Sequence, residues 1–198
     1  MAGAGHDFGA SGLAAVFGYG WLAFWLLAGA AIYVGVYTIW LKPRTSLNIV
    51  IGGAAGSCAV ISGGAAVGMW SAPAVWLMAL LVFVWTPVHF WALALAYRDD
   101  YANAGYPMLP AQVSPQAAAR WTALHTVFTA VCALAIGITP SLDWPYLILI
   151  GLGTIPLVKR TLALLANPVR QTALPLFGYS NIYLALVIAV VMLSLLWR

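Results

Sequence analysis

The chain has 198 residues, 64% of them hydrophobic, and carries only 8 Lys or Arg and 4 Asp or Glu. A soluble domain would charge about a quarter of its residues, so a water-facing globule is excluded. The net charge of +4 comes from basic residues scattered between apolar runs rather than gathered in a stripe, which excludes a nucleic-acid interface. Four runs, 8–41, 45–97, 121–142 and 171–197, contain no Asp, Glu, Lys or Arg. Each exceeds the roughly 20 residues that an α-helix needs to cross a hydrocarbon core about 30 Å thick. The fold class is therefore all-α: a polytopic membrane helical bundle, with residues 1–198 forming one membrane domain in a lipid bilayer.

Breaking these runs at Gly and Pro predicts six helices. The first, 14–41, is too long and too rich in Trp for a cleaved signal peptide. The second, 47–67, is dense in small residues (Gly52, Gly53, Gly56, then Gly63, Gly64), which let backbones approach closely as in small-xxx-small pairs. The chain turns at Gly68, Ser71 and Pro73 into the third helix, 74–97. The fourth covers 118–138. The fifth, 145–165, spans only if Lys159 and Arg160 snorkel to the interface. The sixth covers 174–197. Alternate connections carry Lys42 and Arg44, then Arg98 and Arg120, then Lys159, Arg160 and Arg170, with Arg198 alone opposite. By the positive-inside rule these three loops are expected in the cytoplasm and both termini outside. Cys58 and Cys132, without a CxxC or a His partner, read as small buried residues with no chemical role.

Three features suggest chemistry. Asp99 and Asp100 stand side by side at a membrane helix end, a costly arrangement unless solvated or bound to a cation. Hard carboxylate oxygens there would suit Mg²⁺, which in turn holds substrate phosphates; a plain solvated loop is the other reading. Lys42 and Arg44, on the same face, could meet those phosphates, Arg by a bidentate fork and Lys as a point charge, or could simply set topology. His89 lies well inside an apolar run, where ionisable groups face a bundle interior or cavity; a hydrogen-bonded packing residue is the alternative. His89 and Asp100 share a face if the third helix runs that far, about 16 Å apart in depth. His125 has the same ambiguity with less context and is read as structural.

Two long motifs then carry a resemblance. The run from Tyr37 through Lys42, Pro43, Arg44 and Asn48 to Gly52, Gly53 and Gly56 resembles the central segment of the protohaem IX farnesyltransferases, or haem O synthases. The stretch Trp85-Thr-Pro-Val-His89-Phe-Trp, followed by Arg98-Asp99-Asp100-Tyr101 and Gly105-Tyr-Pro-Met-Leu-Pro110, is similar to the second signature of that family. Leu176 to Leu184 matches its last helix more weakly. That family belongs to the UbiA-type intramembrane prenyltransferases. The resemblance implies a bundle of about nine spans around a cavity, with two Asp-rich motifs binding Mg²⁺ and a prenyl diphosphate. It implies transfer of a farnesyl group from farnesyl diphosphate to a vinyl group of haem b, with addition of water and release of diphosphate. Carried over residue by residue, Asp100 and, less well matched, Asp99 are the metal-binding acids. Lys42, Arg44 and Arg98 become candidate diphosphate contacts. Tyr37, Asn48 and Tyr101 are candidate substrate-binding residues, and His89 a candidate haem-side ligand or proton carrier. The setting implied is a prokaryotic plasma membrane rather than a mitochondrial inner membrane, with haem A synthase or further N-terminal helices as partners.

The departures also carry expectations. The family's first Asp-rich motif has no counterpart here, since Asp7 is the only acid before Asp99. The chain is thus expected to correspond to the last six helices of a nine-helix enzyme, lacking about a hundred residues, and to be inactive alone. The family's paired prolines are absent around 58–61, Pro43 stands where a basic residue is usual, and Val88 replaces a second proline before His89. Two alternatives stay open. One is a UbiA-type enzyme acting on a quinone precursor or lipid, against which the Trp-Thr-Pro-Val-His and Pro-Met-Leu-Pro elements argue. The other is a non-catalytic membrane protein that keeps the scaffold, for which the missing motif is the best support.

Overall fold

The computed structural model describes residues 11–12, 18–139, 142 and 144–196. The first residues of the expected first helix, together with Asp7, Asp143 and Arg198, lie outside the described residues. Among the described residues six helices are long and apolar enough to cross a membrane and there is no strand. The chain is an integral, multi-pass membrane protein built as a helical bundle.

The first span runs from Gly20 to Leu41 and changes character midway. Helix α1 (Gly20–Ala30) passes without a break into a π-helical segment, Ala31–Leu41. The wider turn shows in hydrogen bonds five residues back: the Lys42 amide to the Tyr37 carbonyl at 2.8 Å and the Thr38 hydroxyl to the Tyr33 carbonyl at 2.7 Å. Composition gave no sign of this segment, and π-helical turns are frequent at functional sites.

Helix α2 (Asn48–Ala66) and helix α3 (Pro73–Ala96) follow. Their turn uses Gly68 at φ +74°, a backbone region that costs an L side chain but not glycine. The glycines of α2 do what close helix packing needs. A Cβ on Gly56 would stand 3.0 Å from Val82, and one on Gly64 2.9 Å from Val75. A Cβ on Gly53 would stand 3.2 Å from the Phe83 carbonyl. That carbonyl is the one Pro87 deprives of an amide donor, since proline at position i leaves the carbonyl at i−4 unpaired. Helix α3 nonetheless continues through Pro87. Ser57 adds a hydrogen bond from its hydroxyl to the Ala79 carbonyl at 2.8 Å.

The connection after α3 is not a plain loop. It contains two short helices, α4 (Arg98–Asn103) and α5 (Leu109–Gln112). Helix α6 (Pro115–Ile136) starts three residues before its expected position because Ser114 caps it, accepting the Ala117 amide at 3.2 Å, with Pro115 following the cap. Helices α7 (Trp144–Ala166) and α8 (Arg170–Leu196) complete the bundle. Helix α8 begins at Arg170, four residues before its expected start at Leu174. Thr161 on α7 donates to Thr126 on α6 at 3.2 Å, the Tyr146 hydroxyl donates to the Ala133 carbonyl at 2.7 Å, and Thr154 pairs with the Tyr183 hydroxyl at 2.9 Å. In lipid such bonds hold helices together, because the apolar surface alone gives no preference for protein over acyl chain. The buried core accordingly runs through α3, α6, α7 and α8, including Leu81, Val88, Ile150, Leu164 and Val187.

Two side-chain contacts fix which connections share an end of the bundle. The Lys42 ammonium lies over the Tyr106 ring, and the Arg170 guanidinium over the Tyr97 ring at 4.5 Å while donating to the Tyr97 hydroxyl at 3.2 Å. The ends of the π-helical segment and α3 and the start of α8 therefore gather at one end, which is the cationic one. Lys159 is exposed, and Arg160 covers the Tyr179 ring at 4.4 Å and donates to the Pro156 carbonyl at 3.2 Å.

Candidate functional site at the cationic end

Helix α3 ends at Ala96, and Tyr97, with φ −120° and ψ 35°, breaks the helical path before α4. The helix thus ends within a residue of its expected end and does not run on to Asp100, so the condition for a face shared by His89 and Asp100 is not met and the two residues go to different surroundings. Within α4, Arg98 and Tyr101, one turn apart, point inward. Arg98 donates to the Val113 carbonyl at 2.9 Å and so closes the connection on itself. Tyr101 packs, with Tyr37, against a buried cluster of Ile49, Trp91, Ala94 and Met108. Asp99 and Asp100, on the opposite side of the same turn, are exposed to water.

Under this roof lies a hollow of about 260 Å³ between the π-helical segment, α2 and α3. Lys42, Tyr33, Tyr37, Thr38 and Thr86 supply its polar lining; Ile49, Gly52 and Phe90 form its apolar walls. Gly52 is required here: a Cβ would meet the Tyr37 ring at 2.6 Å. Arg44 does not line the hollow. Its guanidinium donates to the Ile39 and Trp40 carbonyls, both at 2.9 Å, capping the end of the first span and leaving further N–H donors toward solvent. Asn48 is fully buried, and neither its Oδ1 nor its Nδ2 has a hydrogen-bond partner. The indole Nε1 of Trp91, in the same region, is likewise buried and unpartnered.

His89 faces α8. Its ring stacks between Trp85 (4.7 Å, 17°) and Phe177 (4.5 Å, 28°), and its Nδ1 lies 3.2 Å from Ser180 Oγ. Ser180 has one hydroxyl proton, which it donates to the Phe177 carbonyl at 2.7 Å. The contact with His89 must therefore be Nδ1–H donating to Oγ, so in the neutral ring Nε2 carries the lone pair. This is the arrangement by which a protein orients a metal-ligating imidazole. His125 is similar in one respect, its Nδ1 lying 3.3 Å from the Val84 carbonyl, and it packs edge-to-face on Trp91.

The acids fit a phosphate-bridged cation rather than a closed metal cage. Among the described residues no group of three or more His, Cys, Asp or Glu could hold a metal ion. Mg²⁺, however, keeps several waters and is commonly held by one or two carboxylates plus substrate phosphates, which two exposed adjacent aspartates can supply.

Trp85, Ser180 and Phe177 around His89, and Tyr106 over Lys42, were not singled out from sequence. All four fall within the motif runs quoted for the resemblance, but their roles depend on contacts between helices that no spacing rule supplies. Thr38 lining the hollow depends on the π-helical turn.

The chain belongs to the UbiA prenyltransferase family, matching it over residues 7–180. Among named relatives, a protoheme IX farnesyltransferase of Saccharolobus islandicus (strain L.S.2.15 / Lassen #1) is 42% identical over 171 residues, covering 86% of this chain and 59% of the relative. Proteins of the same name from Sulfolobus acidocaldarius and Metallosphaera sedula are 43% and 39% identical, each covering 87% of this chain and 60% of the relative. The chain thus spans about three-fifths of the length of the curated relatives it matches. No solved structure matches the chain significantly.

Proposed function

We propose that the chain joins the farnesyl group of farnesyl diphosphate to a vinyl group of haem b, with water adding to the carbon left cationic, giving haem O (hydroxyethylfarnesyl haem) and diphosphate. The single observation that carries this reading is the hollow beneath Lys42, which sets an ammonium and the hydroxyl-bearing Tyr33, Tyr37, Thr38 and Thr86 beside the apolar walls of Ile49, Gly52 and Phe90. An allylic diphosphate has that division of chemistry: a charged head needing cations and a tail needing a dry surface. The printed name shared by the relatives supports farnesyl as the group and protoheme as the acceptor.

Lys42 would hold the diphosphate as a point charge, with the spare donors of Arg44 and Arg98 within the same end of the bundle. Asp99 and Asp100 would hold Mg²⁺, which when bound neutralises charge on the departing diphosphate. Tyr37, Tyr101 and the buried Asn48 and Trp91 shape the site and keep water from an allylic centre. His89, held between Trp85 and Phe177 with its lone pair on Nε2, would meet the haem side. The cationic end faces the cytoplasm by the positive-inside rule, in a prokaryotic plasma membrane.

The test is mass analysis of haem extracts from a host without haem O synthase that expresses this chain, alone and with the additional helices of a relative. Hydroxyethylfarnesyl haem in either case establishes the activity. Its absence from both, with a prenylated quinone precursor present, moves the chain to another acceptor. Absence of any prenylated product favours the non-catalytic scaffold.

A further inference from the structure

A second hollow, of about 360 Å³, continues the first along the groove between the first span and α2, and Tyr33 belongs to both. Its walls are Leu26, Gly29 and Ala30 on one helix and Ala55, Gly56 and Ala59 on the other, with Trp25 at the end remote from Lys42. The small residues leave the groove its width: a Cβ on Gly29 would already press to 3.2 Å on Cys58. Along α2 the lining runs from Ile49 to Ala59, which at 1.5 Å per residue is about 15 Å. On the opposite wall Lys42 and Trp25 stand seventeen residues apart along the first span and its end, so the groove accepts an extended prenyl chain and Trp25 sets how far it runs.

The far end is closed by a braced wall. The Trp25 ring meets Trp76 edge-to-face at 5.7 Å and Trp70 at 6.4 Å, and Trp70 is stacked on Trp21 at 4.2 Å. An indole backed by Trp70 on the α2–α3 turn and Trp76 on α3, with Trp21 behind Trp70, cannot rotate aside as a lone aliphatic side chain could. The charge lies at one end of the groove, at Lys42, so a ligand with an anionic head and an apolar tail can enter in one direction only, tail toward Trp25.

We infer that Trp25 is the specificity-determining residue that limits the length of the prenyl chain, acting as the floor of a groove whose mouth is Lys42. This rests on the reading of the chain as a prenyl diphosphate enzyme and adds which chain lengths it takes. Ala59, exposed at the open side of the far hollow, is the position where added bulk would shorten the groove without disturbing helix packing.

The experiment measures binding rather than turnover. Hydrolysis-resistant thiolodiphosphate analogues of geranyl, farnesyl and geranylgeranyl diphosphate are titrated into the full chain in lipid nanodiscs with Mg²⁺. The unaltered chain is expected to bind the farnesyl analogue best. Trp25→Ala should raise affinity for the geranylgeranyl analogue relative to farnesyl by about tenfold, while Trp25→Phe, which keeps a ring in place, should keep the farnesyl preference. Ala59→Phe should lower affinity for farnesyl relative to geranyl by about tenfold. Failure of all three analogues to bind the unaltered chain overturns the prenyl diphosphate reading and the length limit with it. Binding with the same length ranking in Trp25→Ala and Ala59→Phe as in the unaltered chain overturns the length limit alone.

Discussion

The Lys42 ammonium stands 5.1 Å from the centroid of the Tyr106 ring, tying the end of the first span to the connection between α4 and α5. A cation over an aromatic face at an exposed site contributes roughly 0.5–1 kcal/mol. Here it also holds the ammonium at the hollow rather than in solvent. Lys42→Gln should raise KM for farnesyl diphosphate at least tenfold, corresponding to about 1.4 kcal/mol of lost binding. Tyr106→Leu should raise it a few-fold, and Tyr106→Phe should leave it unchanged because the ring face persists. Steady-state kinetics at varied farnesyl diphosphate check this; an unaltered KM in Lys42→Gln would take Lys42 out of the site.

Asp99 and Asp100 are exposed in the first turn of α4 and make no ion pair among the described residues. Substitution by Asn at such positions should change stability by no more than about 0.5 kcal/mol. Turnover should respond differently. Asp100→Asn should abolish haem O formation, and Asp99→Asn should reduce it and raise the Mg²⁺ concentration needed for half-maximal rate. Thermal unfolding in detergent alongside a Mg²⁺ titration of the rate separates the two effects. Undiminished turnover in Asp100→Asn would remove that acid from the site.

His89 is ordered by three neighbours, so its replacement can be designed to keep packing. His89→Phe preserves stacking between Trp85 and Phe177 and removes only the nitrogens. If Nε2 meets haem iron, titration of haem into the solubilised chain should give the absorbance of a His-ligated haem, lost in His89→Phe and kept in His125→Phe. Ser180→Ala should weaken that signal, because without the hydroxyl the Nδ1–H loses its acceptor and the ring its fixed tautomer. A spectrum insensitive to His89→Phe leaves the imidazole with a packing or proton-carrying role.

The spans were legible in the sequence because lipid imposes one strong constraint, a long uncharged run, which marks five of the six spans among the described residues, with α7, carrying Lys159 and Arg160, as the exception. Their ends were less so, for identifiable reasons. Hydropathy placed the start of α6 after Pro115 and Gln116, where the local signal, Ser114 followed by Pro, marks the true cap. It placed the start of α8 at Leu174 because Pro175 reads as a breaker, whereas membrane helices tolerate proline where neighbours or side chains meet the freed groups. The gathering of Lys42, Arg98 and Arg170 at one end followed from counting spans. The end of the third helix was also legible, since Arg98 closes the uncharged run and the helix stops at Ala96, one residue from the expected end; the direction in which Asp100 then faces was not, because it depends on how the following short helix packs. The hollow under Lys42 depends on a π-helical turn and on Gly52 meeting the Tyr37 ring, both of them contacts between segments.

Asn48 poses the sharpest conflict between stability and function. A buried carboxamide without partners costs about 1–3 kcal/mol per unsatisfied group, whereas replacing it by an apolar group of similar shape can be neutral or stabilising. Asn48→Leu should therefore match or exceed the unaltered chain in thermal stability in detergent. If the carboxamide is kept for a substrate oxygen, with the nearby Trp91 indole as a second donor, the same change should lower kcat/KM by at least tenfold, about 1.4 kcal/mol. Asn48→Asp, which retains an acceptor but puts a charge in a dry site, should lose both stability and activity. Measuring unfolding temperature and kcat/KM on the same preparations decides the matter. Gain in stability with loss of activity marks a functional residue maintained at a structural cost, as expected where a binding site needs unpaired polar groups in advance. Loss of both in Asn48→Leu would mean that Asn48 is instead satisfied within the fold and holds α2 against the connection above it.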